Sequence, residues 1–78
     1  MVYLGQEVRY LPHWVKCGKF GEVETRGNMV TGKVIYVNYQ NEYFTVETPC
    51  GGTMQRESFK FSQIGKDIHI VRGGKHGS

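Results

Sequence analysis

Short apolar runs separated by glycines and polar turns constrain this chain more than any other feature of its sequence. No segment keeps the helical period of 3.6 residues over the length that a helix requires. Five runs instead alternate apolar and polar side chains or concentrate β-branched and aromatic residues, which is typical of strands. They are residues 6–11, 30–38, 43–48, 53–61 and 68–71. The sequence therefore predicts an all-β fold with five antiparallel strands.

Two tight turns and one long connection order these strands. Residues 39–42, Tyr-Gln-Asn-Glu, and residues 49–52, Pro-Cys-Gly-Gly, are typical of hairpin turns and join three runs into an antiparallel meander. Residues 62–65 indicate a single helical turn before the last run. The first two runs are separated by residues 12–29. A loop of that length in a small domain is normally functional or ordered by its own packing.

Alternation within the runs predicts the core. In the second run, strict alternation would place Val34 with Tyr36 on one face, whereas a bulge near Gly32 would turn Val34 and Val37 inward; both registers stay open. The side chains expected to be buried are Val8, Tyr10, Val34, Val37, Phe44, Val46, Phe59, Phe61, Ile64, Ile68 and Ile70.

The length of 78 residues indicates one domain with a modest core. We expect a barrel over residues 1–72 and a disordered tail over residues 73–78, because the tail has nothing to bury. No apolar run approaches the roughly 18 residues of a transmembrane helix, so no membrane partner is expected. Residues 1–6 lack the charge and the apolar stretch of a signal peptide.

The number of cysteines also argues against a secreted protein. Cys17 and Cys50 are the only two cysteines, fewer than a small disulfide-stapled secreted domain normally carries. We therefore predict two unpaired thiols and a cytoplasmic protein.

The order of the elements resembles the SH3-like small β-barrel superfamily. The long first connection stands where the RT loop stands, and the turn at 62–65 stands at the usual 3₁₀ position. Residues 30–37 followed by 43–47 are similar to the glycine-plus-valine hairpins of KOW-type and Tudor-type barrels. Residues 56–61 are similar to a segment of small uncharacterised barrel proteins of bacteria and their phages. The resemblance covers residues 5–72 and implies a small five-stranded antiparallel SH3-like barrel.

The resemblance implies a binding module without naming its partner. Barrels of this superfamily bind peptides, methylated histones, RNA, ribosomal proteins and metals, so function has to be argued from the site. The chain departs from peptide-binding SH3 proteins in its connection, where positive charges outnumber negative ones and where the only tryptophan, Trp14, lies. Recognition of proline-rich peptides is therefore not expected.

The connection holds the first group of candidate binding residues, Trp14, Lys16, Lys19 and Phe20. Aromatic rings beside positive charge suit stacking on bases with lysines near phosphates, or an aromatic anchor in a protein interface. The alternative is that Trp14 and Phe20 fold back and complete the core. Because ordering each residue of an idle loop costs about 1–2 kcal/mol of backbone entropy, we expect the connection to form the recognition surface.

The second group of candidate binding residues is Tyr36, Tyr39 and Tyr43. Three tyrosines around one hairpin can form an aromatic pocket for a cation or a base. The alternative is cross-strand pairing that stabilises the sheet.

No residue pattern predicts a metal, cofactor or catalytic site. His13, Cys17, Cys50 and His69 lack the closely spaced ligand pair of a zinc site. No phosphate-binding glycine motif precedes a helix, and Cys17 has only His13 nearby as a candidate base. The protein is therefore predicted not to be an enzyme.

The net charge of +3 is concentrated at the two ends of the chain, around a net acidic middle. The leading prediction is an adaptor or inhibitor that binds another protein, with a phage or mobile-element origin implied by the resemblance. The alternative is a nucleic-acid-binding barrel of the KOW-like type. Nucleic acid would be favoured if the basic residues converged on one face beside an exposed Trp14, and protein if that face also held glutamates. The basic residues in question are Arg9, Lys16, Lys19, Arg72 and Lys75.

Overall fold

A computed structural model describes residues 1–73 of the chain, and this part is built from strands and one short 3₁₀ turn. In chain order the elements are β1 (Gln6–Tyr10), β2 (Lys16–Cys17), β3 (Val23–Glu24), β4 (Val30–Asn38), β5 (Tyr43–Cys50), β6 (Thr53–Lys60), the 3₁₀ turn (Phe61–Gln63) and β7 (Ile68–Gly73). Within the described part there is no α-helix, and hence no helix long and apolar enough to cross a membrane. The all-β prediction is confirmed.

Five of these strands form one antiparallel sheet in the order β6-β5-β4-β1-β7, and β2 pairs only with β3 in a separate two-stranded sheet. The five predicted runs correspond to the five strands of the large sheet, and the predicted long connection follows β1. The sheet ends at β6 and β7, which do not pair with each other, so no closed barrel forms among the described residues.

Several element boundaries differ from the prediction by one or two residues. β5 continues through Pro49 to Cys50, so that only Gly51 and Gly52 form the turn, both at positive φ. The 3₁₀ turn starts at Phe61, one residue early. Gly73, expected in the tail, is the last residue of β7, and the rest of the predicted tail, residues 74–78, lies outside the described residues.

A bulge in β4 resolves the open register of that strand. Val34 pairs with Val46, but Tyr36 pairs with Thr45, so Ile35 is the extra residue. The shift turns both Val34 and Val37 toward the core, as a bulge requires, although it lies at Ile35 rather than at Gly32.

The core lies on the inner face of the large sheet. Its fully buried members are Val2, Val8, Tyr10, Val34, Phe44, Val46, Phe59 and Ile68, with Val30, Val37, Phe61, Ile64 and Ile70 packed against them. All the predicted core residues belong to one of these two sets. The Phe59 ring stacks on Phe44 at 6.0 Å and meets Tyr10 edge-on at 5.2 Å. Aromatic contacts of this kind add to the stabilisation from burial alone.

The N-terminal segment adds a core residue that the pattern did not predict. Val2 is 1% exposed, and its position is fixed by backbone contacts rather than by strand alternation. The Gly5 N–H donates to the carbonyl of Val34 at 2.8 Å, and the Tyr39 hydroxyl donates to the carbonyl of Val2 at 2.5 Å. The segment therefore covers one end of the core.

Candidate binding surface

Residues 12–29 do not form an irregular loop but carry their own hairpin, β2–β3. Cys17 pairs with Val23 and Lys16 with Glu24. The turn between the strands is closed by a hydrogen bond from the Gly21 N–H to the Gly18 carbonyl at 3.1 Å. Gly18 and Gly21 both have positive φ, a conformation that residues with a Cβ rarely adopt. The glycines of the connection thus build a tight turn at its tip.

A disulfide joins this hairpin to the large sheet. Cys17 of β2 is bonded to Cys50 at the end of β5, with the two Cα atoms 5.8 Å apart, a usual separation for a disulfide. The prediction of two unpaired cysteines is therefore wrong. It rested on the number of cysteines, and counting carries no information about which residues the fold brings together.

The two glycine turns also touch each other beside the disulfide. A Cβ placed on Gly51 would lie 2.9 Å from the Gly18 Cα and 2.7 Å from a methyl carbon of Val23, so only glycine permits this approach. The Gly18 N–H donates to the Thr53 hydroxyl at 3.2 Å. The hairpin is therefore held against the β5–β6 turn.

Phe20 is the most exposed large hydrophobic residue in the described part of the chain. It lies at the tip of the hairpin with 86% of its surface accessible, and its N–H donates to Glu22 Oε1 at 2.9 Å. The Lys19 ammonium lies 5.9 Å from the centre of the Phe20 ring, within the range of a cation–π contact. Phe20 does not fold back onto the core, so for this ring the core-completing alternative fails.

Trp14 behaves differently from Phe20. It is half-buried, and its indole Nε1 is buried without a hydrogen-bond partner in the described part of the chain. The Thr25 hydroxyl donates to the Trp14 carbonyl at 2.9 Å, which ties the two ends of the hairpin together. Trp14 thus contributes packing under the connection as well as some accessible surface.

His13 forms a second link between the connection and the sheet. Its Nδ1 lies 2.5 Å from Oε2 of Glu57. Glu57 pairs with the core residue Val46, so it stands on the inner face of β6, and its side chain is only 13% exposed. The other carboxylate oxygen, Oε1, is buried with no partner within residues 1–73. The start of the connection therefore covers a carboxylate at the edge of the core.

The tyrosines divide into a pair and a separate residue. Tyr36 and Tyr43 face outward with their rings 5.9 Å apart, and Tyr36 is 47% exposed. Tyr39, whose hydroxyl holds the N-terminal segment, meets Phe61 edge-on at 6.0 Å. The structure supports cross-strand packing for the pair and anchoring for Tyr39, and it leaves one face of the Tyr36–Tyr43 pair accessible.

The two candidate groups lie at opposite ends of β5. Cys50, to which the hairpin is bonded, ends the strand that Tyr43 begins. At about 3.4 Å per residue, the two ends of β5 are roughly 20 Å apart. The hairpin tip and the tyrosine pair are therefore two separate surfaces.

The outer face of the large sheet carries one row of alternating charge across all five strands. The register places Arg72, Glu7, Lys33, Glu47 and Arg56 side by side in that order. Arg56 lies 3.0 Å from Glu47, and Arg72 lies 3.7 Å from Glu7. Opposite charges on neighbouring strands stabilise the register, and here they leave no continuous basic surface.

The basic residues of the connection are also mixed with carboxylates. Lys16 stands opposite Glu24, and Glu24 Oε2 lies 3.4 Å from Nε of Arg26. Lys75 lies outside the described residues. The described basic residues of the connection are therefore interspersed with carboxylates.

A groove of about 570 Å³ lies beside the two ends of the connection. Its lining combines apolar and charged side chains: Leu11, Pro12, His13, Met29, Phe59, Gln63, Lys66, Asp67 and His69. Among residues 1–73 no group of three or more histidine, cysteine or acidic side chains could hold a metal ion. Of the four residues weighed as zinc ligands, the two cysteines are used in the disulfide.

Comparisons with protein-family models, curated protein sequences and solved structures gave no match to this chain. The arrangement of its own residues therefore carries the functional argument.

Proposed function

We propose that this chain is a non-catalytic binding module of SH3-like fold that docks on another protein, as an adaptor or inhibitor, through the tip of the β2–β3 hairpin. The strand order supports the fold assignment, since the long connection follows β1 and the 3₁₀ turn precedes the last strand of the sheet.

The exposed ring of Phe20 carries the functional proposal. Fully burying a phenylalanine side chain contributes about 1.5–3 kcal/mol, so a partner gains by covering it. The ring stands on a turn that is closed by its own hydrogen bond and joined to the sheet by a disulfide. Because this turn is already ordered, its backbone loses little conformational entropy on binding.

The charges around the tip indicate the chemistry of the partner. Lys16 and Lys19 are both exposed, whereas Glu22 is engaged with the Phe20 N–H. A complementary surface would combine an apolar pocket for the ring with carboxylates at its rim. Such an arrangement is typical of a protein interface with an aromatic anchor.

Nucleic-acid binding has less support. Arg72 is engaged by Glu7, Lys33 stands between two glutamates, and half-buried Trp14 offers little surface for base stacking. The phage or mobile-element origin rests on resemblance alone. A cytoplasmic location loses the support that unpaired cysteines gave it, because disulfides persist mainly in oxidising compartments.

The test compares capture from a lysate of the cells that make the protein. Immobilised wild-type chain, Phe20→Ala and Tyr36→Ala are used in parallel, each with and without nuclease. We expect one protein to be retained by the wild type and by Tyr36→Ala, to be lost with Phe20→Ala, and to resist nuclease. Loss on nuclease treatment would establish the nucleic-acid alternative. Loss with Tyr36→Ala alone would move the contact to the tyrosine pair.

A further inference from the structure

No strand pairing joins the β2–β3 hairpin to the large sheet in the described part of the chain. Its strands pair only with each other, and the remaining backbone hydrogen bonds of the described connection, such as that from Thr25 to Val15, stay within it. The recorded polar links to the large sheet are His13 with Glu57 and Gly18 with Thr53. Apart from the main chain itself, the disulfide links the hairpin covalently to the large sheet.

The disulfide stands close to the proposed contact residue. Cys17 is followed at once by the Gly18–Gly21 turn that carries Phe20, and the Thr53 hydroxyl that accepts from Gly18 also donates to the Cys50 carbonyl at 2.8 Å. The disulfide and the turn that carries Phe20 are therefore directly connected. A two-stranded hairpin with strands of two residues is not stable by itself in water.

We propose that the Cys17–Cys50 disulfide is a redox switch for the binding surface: the oxidised chain holds the hairpin in its docked position and presents Phe20, and the reduced chain releases it. This inference rests on the proposed function for its binding consequence. The structural part, release of the hairpin, stands by itself.

The chemical step is a thiol–disulfide exchange with a dithiol reductant. One thiolate of the reductant attacks the Cys50 sulfur, since Cys50 is the more accessible of the pair, and the Cys17 sulfur leaves. The second thiol of the reductant then displaces Cys50 and closes the reductant's own disulfide. Two electrons and two protons pass to the chain, which gains two free thiols.

The contacts that remain after reduction explain why the hairpin would be released. Without the disulfide, the hairpin keeps one hydrogen bond at 3.2 Å, the contact of exposed His13 with Glu57 and the packing of Gly51 against Gly18 and Val23, while the large sheet keeps all its strand pairing. Opening of the hairpin therefore becomes a local event that leaves the core folded. Binding falls because Phe20 is presented in its docked position only part of the time.

Amide hydrogen exchange tests the structural part. The oxidised chain is compared with the chain reduced by dithiothreitol, and with Cys17→Ala/Cys50→Ala as a variant that cannot form the bond. We expect exchange within residues 15–25 to rise at least about tenfold on reduction, with β1 and β4–β7 changing less than about twofold. The switch is refuted if residues 15–25 keep their protection, if the whole chain loses it, or if dithiothreitol leaves the disulfide intact without denaturant.

Capture of the Phe20-dependent partner tests the binding part. We expect retention to fall at least about tenfold on reduction and to recover on reoxidation, and the double-alanine variant to bind weakly under both conditions. Equal capture by reduced and oxidised chains would refute the switch alone. Capture that never depends on Phe20 would refute the proposed function, and the exchange experiment would still decide whether the hairpin is released.

Discussion

The large sheet and the connection between β1 and β4 are held in opposite ways. Each sheet strand is bonded to one or two neighbours along its length, and its inner side chains share one core. The connection has a hairpin whose strands are two residues long. It is joined to the sheet by one disulfide and by hydrogen bonds that involve the side chains of Glu57 and Thr53. The sheet therefore provides most of the stability of the fold, and the connection carries the proposed binding surface. Substitutions can then change stability and binding separately.

The largest effect is expected in the sheet. Phe44 is fully buried and contacts both Phe59 and Phe61. Phe44→Ala should lower the free energy of unfolding by about 3–5 kcal/mol, the usual cost of truncating a buried phenylalanine. Chemical denaturation monitored by circular dichroism measures it. An unchanged midpoint would mean that the core is not centred on β5.

A smaller loss is expected where β4 approaches β5. A Cβ on Gly32 would lie 2.8 Å from the carbonyl oxygen of Glu47 and would meet the Thr48 hydroxyl. Gly32→Ala should therefore cost about 1–3 kcal/mol through overpacking. Thr31→Ala, at the exposed neighbouring position, is the control and should cost less than about 1 kcal/mol. Equal losses would show that this close approach does not exist.

Much of the large sheet could be predicted from the sequence. Alternation identified the inward side of β1, β5, β6 and β7, because burial on one face imposes a period of two, but it left two registers open for β4. It could not locate the bulge at Ile35, since the extra residue follows from pairing with β5. The burial of Val2 was not predicted because this residue precedes β1 and is placed by backbone contacts rather than by strand alternation.

The candidate surface was harder to predict than the sheet. The aromatic and glycine content of residues 12–29 indicated an ordered connection, and Phe20 was a candidate contact on composition alone; the structure places its ring at the exposed tip of the hairpin. Nothing in the spacing of Cys17 and Cys50 showed that they would meet. Their pairing depends on the end of β5 and the hairpin turn coming together in three dimensions.

A pH effect of intermediate size should come from Tyr10. Burial raises the pKa of its phenol above the ordinary value of 10.0, and the charge of Glu57 adds to the rise, against the hydrogen bond from Thr48. The unfolded chain then ionises first, so stability is full below about pH 10 and falls as the pH rises above it. We therefore expect the free energy of unfolding to fall as the pH rises above about 10, until it passes the higher pKa that Tyr10 has in the folded chain.

Tyr10→Phe separates this ionisation from other alkaline effects. The variant loses the 2.6 Å hydrogen bond between the Tyr10 and Thr48 hydroxyls and should be less stable at neutral pH by about 1 kcal/mol. Its stability should then fall less steeply than that of the wild type above pH 10. Parallel slopes in denaturation experiments from pH 8 to about 11 would show that Tyr10 is not the group responsible.

The smallest effect on stability is expected at the tip of the hairpin. Because Phe20 is 86% exposed, Phe20→Ala should change the free energy of unfolding by no more than about 0.5 kcal/mol. Trp14→Ala is the matched comparison within the same connection. It truncates a half-buried ring whose indole nitrogen is enclosed, so its melting temperature should fall clearly below that of Phe20→Ala.

Thermal melts and partner capture of the two variants together test whether stability and binding depend on different residues. Phe20→Ala should melt like the wild type and fail to bind, since the residue is 86% exposed and its cation–π contact is with its exposed neighbour Lys19. Trp14→Ala should lose stability, and any loss of binding should follow from a disturbed connection. If Phe20→Ala melted early instead, the ring would have to be packed against the molecule, and the hairpin could not be a contact surface held separately from the core.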